Sequence, residues 1–176
     1  MLRDSLQPNL VNFTAMPLHI IVDGYNVIRQ SEQLHIIDLR DMQEGRETLQ
    51  DMLVEYRKRK GHPITIVFDG TYALSLDTQC QRFRGINILF SRHGETADTV
   101  IKRMAAREKE RALVVSSDRD IVSFVRSVGS ATIGSRAFEE KVFQALYPGE
   151  NGGMEDSPDT GWIPTTRKKG PSRRLS

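Results

Sequence analysis

Short apolar runs recur along the chain, and each run is bounded by polar or charged residues. Each run is rich in β-branched residues and too short for a buried helix, so the pattern predicts β-strands. The first run, which ends at Val22, is apolar enough to be buried on both faces of a sheet. The predicted strands lie at residues 19–22, 64–68, 86–90, 112–116 and 131–133.

Between the strands, apolar residues recur at helical spacing. Leu49, Met52, Leu53 and Tyr56 share one helical face, which predicts a helix from about residue 45 to residue 60. Ser135 is a suitable N-cap for a last helix. Further apolar stripes predict helices that contain Val100, Ile101, Met104 and Ala105; Ile121, Val122, Phe124 and Val125; and Phe138, Val142, Phe143 and Leu146. Residues 30–44 and 71–85 have no period and are predicted to be irregular.

Strands that alternate with helices predict an α/β fold, in which a parallel sheet carries helices on both faces. We expect this domain to span residues 17–147. Residues 1–16 have no period and are expected to be a flexible lead. From residue 148 onward, Gly, Pro, Ser and charged residues predominate, which predicts a disordered basic tail.

Composition and charge narrow the class of protein. With 176 residues, the chain is long enough for one domain with a hydrophobic core, and its net charge of +2 neither requires nor excludes a nucleic-acid partner. The single cysteine, Cys80, cannot form a disulfide within the chain, which favours a reducing compartment. No apolar run reaches the ~20 residues that span a bilayer, and no signal-peptide pattern is present. We therefore expect a cytoplasmic protein without a membrane partner.

Acidic residues follow the predicted strands. Asp23, Asp69 and Asp118 each come at the end of an apolar run, and Asp98 opens the helix after the third strand. In a parallel sheet all of these positions lie at the carboxyl edge, where α/β proteins build their sites. Asn26 adds an amide oxygen within reach of the same crevice. The pattern predicts a cluster of oxygen ligands at this edge.

Carboxylates that lie close together repel one another unless a cation neutralises them. Because the cluster contains neither His nor Cys, it favours Mg²⁺ or Mn²⁺ over zinc. An ion held by Asp23, Asp98 and Asp118 could activate a water molecule against a phosphodiester. Asp69 and Glu95 also have simpler interpretations, as a turn residue and a helix cap, and we place them at the periphery of the site.

Four sequence blocks together resemble the YacP-like branch of the NYN domain family, which belongs to the PIN-like ribonucleases. These blocks are Val22–Asn26, Val67–Asp69, Glu95–Asp98 and Ser116–Asp120, and the resemblance spans about residues 17–147. It implies a PIN-like three-layer α/β/α fold with a parallel sheet of about five strands, in the order 3-2-1-4-5. It also implies metal-dependent endonucleolytic cleavage of RNA.

The resemblance assigns functional residues one by one. It implies that the catalytic residues are Asp23, Asn26, Asp98, Asp118 and Asp120. Of these, it implies that Asp23, Asp98 and Asp118 hold Mg²⁺ or Mn²⁺.

We expect further contacts with single-stranded RNA from residues near the acidic cluster. Arg29, Arg92 and Arg119 are suitable for phosphate groups, and Tyr25 is suitable for stacking on a base. The expected partner is therefore RNA, with the ribosome as a further candidate partner.

Two alternatives remain open at this point. The chain could be a non-catalytic RNA- or ribosome-binding module, because carboxylates alone do not prove turnover. Residues 92–96, Arg-His-Gly-Glu-Thr, also copy the signature of histidine phosphatases. Those enzymes need a second His downstream, and no His follows His93 in this chain.

Overall fold

The computed structural model describes residues 17–70 and 79–149. The predicted N-terminal lead, residues 1–16, and all but the first two residues of the predicted tail lie outside the described residues. In chain order the elements are β1 (His19–Asp23), α1 (Gly24–Gln30), α2 (Glu32–Arg40), α3 (Met42–Lys60), β2 (Ile64–Phe68), β3 (Gln79–Phe83), β4 (Ile86–Phe90), α4 (Ala97–Glu108), β5 (Ala112–Val115), α5 (Arg119–Ser127), β6 (Ala131–Ile133) and α6 (Ser135–Leu146).

The strands form one six-stranded sheet in the order β3-β4-β2-β1-β5-β6. All neighbouring strands are parallel except β3 and β4. The five strands predicted from the sequence are β1, β2, β4, β5 and β6, and their predicted order is confirmed. β1 lies at the centre, with Asp23 opposite Val67 of β2 and Val22 opposite Val115 of β5. The carboxyl ends of these three strands therefore meet.

Strand β3 corrects the prediction of irregular structure for residues 79–83 and adds an antiparallel edge to the sheet. Residues 71–78 of the segment predicted to be irregular lie outside the described residues. Residues 79–82 are all exposed, so the strand has no apolar alternation that the sequence would reveal. Its turn into β4 consists of Arg84 and Gly85, whose φ angles of 43° and 97° are both positive, as tight two-residue hairpins require.

The segment predicted to be irregular between residues 30 and 44 is mostly helical. Ser31 ends α1 and caps α2, its hydroxyl oxygen accepting a hydrogen bond from the backbone N–H of Leu34 at 3.2 Å. Leu34 is the one fully buried residue of α2, whereas Ile36 and Leu39 are exposed. A helix that buries so little apolar surface shows no clear period in its sequence. Helix α3 begins slightly earlier than predicted, because the Asp41 side chain caps it.

The core has one half on each face of the sheet, so the three-layer α/β/α arrangement is confirmed. Helices α1, α3 and α6 pack on the face that carries Ile20 and Val22 of β1. Helices α4 and α5 pack on the opposite face, against Ile21. Strand β1 is thus buried on both faces, as predicted. In the described part of the chain, no helix combines the length and apolar character needed to cross a membrane.

Candidate active site at the carboxyl edge of the sheet

Asp23 lies where the central strand ends and α1 begins. Its carboxylate accepts hydrogen bonds from the hydroxyl of Ser116 at 3.0 Å and from the backbone N–H of Asn26 at 3.3 Å. Asp23 is only 8% exposed. This burial raises its pKa from 3.8 to about 6, against the lowering effect of the two hydrogen bonds, and the charges of Asp98 and Asp118 raise it further. The central strand therefore ends in a carboxylate that is costly to ionise.

Asp118 follows the neighbouring strand β5 and is the N-cap of α5. Its Oδ1 accepts hydrogen bonds from the backbone N–H groups of Asp120 at 2.8 Å and Ile121 at 3.3 Å. Its own N–H donates to the hydroxyl of Ser116 at 3.1 Å. Because that hydroxyl also donates to Asp23, Ser116 couples the two strand ends. The second oxygen of Asp118, Oδ2, accepts no hydrogen bond from any other described residue.

Asp98 approaches the same edge from the first turn of α4. Its partial burial raises its pKa, and the charge of Asp118 adds to this rise. Asp120 and Asp69 contribute in the same direction, whereas Lys102 opposes them. The structure thus brings Asp98 and Asp118 close enough to repel each other, beside the buried Asp23. Their assignment as catalytic residues and metal ligands stays a prediction.

The cluster fits a hydrated metal ion that has few protein ligands. Within residues 17–70 and 79–149, no three His, Cys, Asp or Glu side chains are already arranged to hold an ion. Mg²⁺ does not need such a cage, because it commonly binds one or two carboxylates and keeps several waters. The oxygen-only donors and their mutual repulsion fit such a hydrated ion. They do not fit a structural zinc site, which has four protein ligands.

Asn26 has a different contact from the one expected. Its side-chain oxygen accepts hydrogen bonds from the backbone N–H of Ser117 at 2.8 Å and from the hydroxyl of Ser135 at 2.7 Å. The amide oxygen is therefore occupied by protein donors rather than offered to the crevice. Asn26 ties α1 to Ser117, two residues after β5, and to the start of α6. The N-cap of α6 is Gly134 and not Ser135 as predicted; Ser135 is the first residue of the helix and donates its hydroxyl hydrogen to Asn26.

Asp120 forms an ion pair with Lys102, a residue that the sequence analysis missed. Lys102 lies one helical turn after Asp98 on α4. Its hydrogen bond to Asp120 raises the pKa of its ammonium group, and the charges of Asp98 and Asp118 act in the same direction. Ser116 was also missed. The spacing of four residues from Asp98 is the one signal that could have indicated Lys102.

The two peripheral acids, Glu95 and Asp69, have different surroundings. Glu95 has a side chain that is only 7% exposed and forms ion pairs with Arg103 and with Arg92, the latter at 3.6 Å. Arg92 was expected to bind phosphate, and its side chain is 59% exposed despite this pairing. Asp69 follows β2 and lies near enough to Asp98 to raise its pKa. Arg119 is exposed at the start of α5.

Tyr25, expected to stack on a base, is held by neighbouring side chains. Its ring packs edge-on against Phe68 at 5.1 Å between centroids, and its hydroxyl accepts a hydrogen bond from Arg46 at 2.9 Å. The guanidinium of Arg29 lies 5.8 Å from the centre of the Tyr25 ring. Tyr25 is only half-buried, so its ring is fixed in place while part of the side chain remains accessible.

Comparison with known proteins places this geometry in a family. The model of the YacP-like NYN domain matches residues 20–154. A curated relative, the uncharacterized protein YacP of Bacillus subtilis (strain 168), is 30% identical over 86 residues, which cover 49% of this chain and 50% of the relative. The match thus spans about half the length of that relative.

Two crystal structures of Rae1 (YacP) from Bacillus subtilis share the fold. A mutant of Rae1 superposes with a TM-score of 0.63 and 23% identity, covering 73% of this chain and 76% of that one. A second Rae1 structure gives a TM-score of 0.56 and 26% identity, covering 72% and 74%. Since the family model extends over most of the domain that carries the acidic edge, the chain belongs to the YacP-like NYN domain family.

Proposed function

We propose that the protein is an endoribonuclease that uses Mg²⁺ or Mn²⁺ to hydrolyse phosphodiester bonds in single-stranded RNA. NYN domains belong to the PIN-like nuclease superfamily, so membership of the family indicates a ribonuclease. The observation that carries the finer proposal is the meeting of Asp23, Asp98 and Asp118 at one edge of the sheet.

The electrostatics of the edge support a cation. Within the described residues, Lys102 is the cation that acts on Asp98, and it is also paired with Asp120. The pKa values of Asp23 and Asp98 are raised, which means that the folded chain holds these charges at a cost. A divalent cation removes that cost, so its binding is favoured by the same charges that destabilise the free site.

The residues at the edge have distinct proposed roles. Asp98 and Oδ2 of Asp118 would hold the ion, with Asp23 beside them and oriented by Ser116. When bound, the ion would supply charge stabilisation at the phosphate and a more acidic water. Lys102 would favour the negative charge that develops on the phosphate.

The surrounding residues would position the RNA. Asn26 would keep the residues after β5 in register with α1 through its two hydrogen bonds. The exposed side chains of Arg29, Arg92 and Arg119 would contact phosphates, and the accessible part of the Tyr25 side chain would contact a base.

The direct test is cleavage of a labelled single-stranded RNA in the presence of Mn²⁺. Asp23→Asn and Asp118→Asn should each lower the rate by at least about 100-fold. Asp51→Asn, which changes an exposed carboxylate on α3 that pairs with Arg84 at 3.1 Å, is the matched control and should leave the rate unchanged. Undiminished cleavage by both site variants would overturn the proposal.

A second candidate function is a non-catalytic RNA-binding module. It is favoured by one observation, that no three-ligand metal group is preassembled in the described part of the chain. RNA affinity that is unaffected by EDTA, with no cleavage under Mg²⁺ or Mn²⁺, would establish this alternative. The ribosome as a partner stays a prediction.

The phosphatase alternative has no supporting contact. His93 is exposed in the turn between β4 and α4, and the nearby Glu95 is occupied by Arg92 and Arg103. The family to which the chain belongs is also not that of the histidine phosphatases.

A further inference from the structure

A groove of about 670 Å³ lies beside the acidic edge, between α3 and the β3–β4 hairpin. Its helical side presents Arg46 and Gln50, one turn apart on α3. Its sheet side presents Gln81 of β3 and Phe90 of β4. The volume is in the range of about 300–1,000 Å³ that is typical of small-ligand sites. We call it the α3 groove.

The inner end of the α3 groove adjoins the candidate active site. Tyr25 and Asp69 line this end. Tyr25 comes two residues after Asp23, and Asp69 is near enough to Asp98 to raise its pKa. If one phosphate of a polymer lies at the acidic edge formed by Asp23, Asp98 and Asp118, the neighbouring unit of the polymer can therefore reach the groove.

A cation and an aromatic ring form a surface in the groove. Phe90 stacks on the buried ring of Phe68 at 5.5 Å between centroids, and Tyr25 packs against the same ring. Arg46 links the two lining rings, because its guanidinium lies 5.9 Å from the Phe90 centroid and donates to the Tyr25 hydroxyl at 2.9 Å. Since Phe68 and Arg46 cover Phe90, the groove offers Arg46 and Tyr25 to a ligand. A guanidinium plane and an aromatic ring both suit a flat π-system.

Gln50 points to the polarity of the occupant. The residue is only 9% exposed and lines the groove. An amide wall suits a ligand that has its own hydrogen-bond donors and acceptors, because an apolar ligand would displace water from the amide without replacing its hydrogen bonds. Gln81, on the opposite wall, adds a second amide.

We propose that the α3 groove binds one unpaired nucleotide of the RNA, adjacent to the phosphate that is cleaved. The base would lie against the guanidinium of Arg46 and the ring of Tyr25, with its polar edge towards the amides of Gln50 and Gln81. Arg46 supplies positive charge for the sugar–phosphate backbone. This inference rests on the proposed function, because the acidic edge sets which phosphate is adjacent. A purely apolar ligand would offer no hydrogen bond to the amides of Gln50 and Gln81.

The proposal has a consequence for substrate choice. A base enters the groove only if it leaves its helical stack, so single-stranded RNA is bound and duplex RNA is excluded. The amides contact the edge of the base, so the cleavage pattern carries a base preference at one fixed position relative to the cut.

The test measures binding separately from cleavage. A fluorescein-labelled RNA hexamer is titrated, in EDTA, into the full chain that carries Asp118→Asn, and its affinity is read by fluorescence anisotropy. Adding Gln50→Met keeps the length of the side chain but removes the amide, and should weaken binding by about fivefold. Gln144→Met, at an exposed position on α6, is the matched control and should bind as before.

Two outcomes decide the proposal. Equal affinity for the Gln50→Met and Gln144→Met proteins overturns it. If Gln50→Met does not fold, as judged by circular dichroism, Gln81→Met at an exposed strand position replaces it, with the same weakening expected.

Separate results test the proposed binding in the α3 groove and the proposed nuclease activity. If Gln50→Met, with Asp118 intact, cleaves RNA with unchanged KM and unchanged cut sites, the nuclease proposal stands and the proposal for the groove is wrong. Weakened binding in Gln50→Met, with no cleavage by the unaltered chain under Mn²⁺, supports the groove as an RNA site and removes the endonuclease.

Discussion

The polar side chains at the two ends of the central strand β1, His19 and Asp23, have opposite environments. At its start, the ring of His19 lies between Glu108 and Thr65, with nitrogen–oxygen distances of 2.7 Å and 2.8 Å. At its end, Asp23 accepts two hydrogen bonds, but its burial raises its pKa, and two neighbouring carboxylates raise it further. The polar groups of His19 have hydrogen-bond partners within the protein, whereas the charged form of Asp23 is destabilised in the folded chain.

This difference indicates which end of the sheet is functional. A local arrangement that is costly for folding is expected where a ligand or substrate removes the cost. The His19 end needs no such partner, because both ring nitrogens are already hydrogen-bonded. Changes at the Asp23 end should therefore affect catalysis and relieve repulsion, while changes at the His19 end should affect stability alone.

The largest expected effect on stability is the pH dependence at Asp23. The pKa of Asp23 is about 6 in the folded chain and 3.8 as its ordinary value, so the folded state binds the proton more tightly. Protonation of Asp23 therefore contributes about 3 kcal/mol to the free energy of unfolding. This contribution to stability is fully present below pH 3.8 and is lost as the pH rises through about 6.

The measurement is urea unfolding in EDTA, at several pH values, of the wild type and of Asp23→Asn. Relative to the wild type, the Asn variant should gain about 3 kcal/mol of unfolding free energy between about pH 3.5 and pH 7. Asp51→Asn, at an exposed site, should run parallel to the wild type. Parallel curves for Asp23→Asn would show that the end of β1 carries no such cost.

A smaller loss is expected at the opposite end of the strand. His19→Ala removes both hydrogen bonds and leaves Glu108, whose side chain is 11% exposed, with its contact to Arg107 at 3.5 Å but without the shorter one to His19. The free energy of unfolding should fall by about 2 kcal/mol. His62→Ala, in the loop before β2, is the control. RNA cleavage per folded molecule should not change. A loss of cleavage in His19→Ala beyond the loss of folded protein would contradict the claim that this end of β1 affects stability alone.

The smallest expected effect is at Ser116, which couples Asp23 to the N–H of Asp118. Ser116→Ala should lower stability at pH 7 by about 1 kcal/mol. Since its hydrogen bond lowers the pKa of Asp23, removing it should also move the midpoint of the stability–pH curve upward. Ser123→Ala, on the exposed part of α5, should move neither quantity. A midpoint unchanged in Ser116→Ala would mean that the hydroxyl does not stabilise the charged carboxylate.

The buried elements of the fold were predictable from the sequence. The apolar runs of the five parallel strands give a clear signal because both faces of a parallel sheet are covered. Strand β3 gave no signal, since it is an exposed edge whose pairing with β4 comes from the tight turn at Arg84 and Gly85. Helix α2 was missed because it buries little beyond Leu34.

The proximity of Asp23, Asp98 and Asp118 was predictable because their positions follow from the strand ends. The parallel sheet places the three acids at one edge, and the strand order implied by the family resemblance makes the first and fourth predicted strands neighbours. The contacts of Asn26 were not predictable, because they join residues 91 and 109 positions apart. They depend on how α1, β5 and α6 pack.

The position of Mn²⁺ in crystals soaked with the ion tests the central claim most directly. We predict an anomalous-scattering peak at the carboxyl edge of the sheet, within coordination distance of Asp98 and Asp118 and beside Asp23. No peak at this edge at saturating Mn²⁺, with the three carboxylates directed away from one another, would contradict the account.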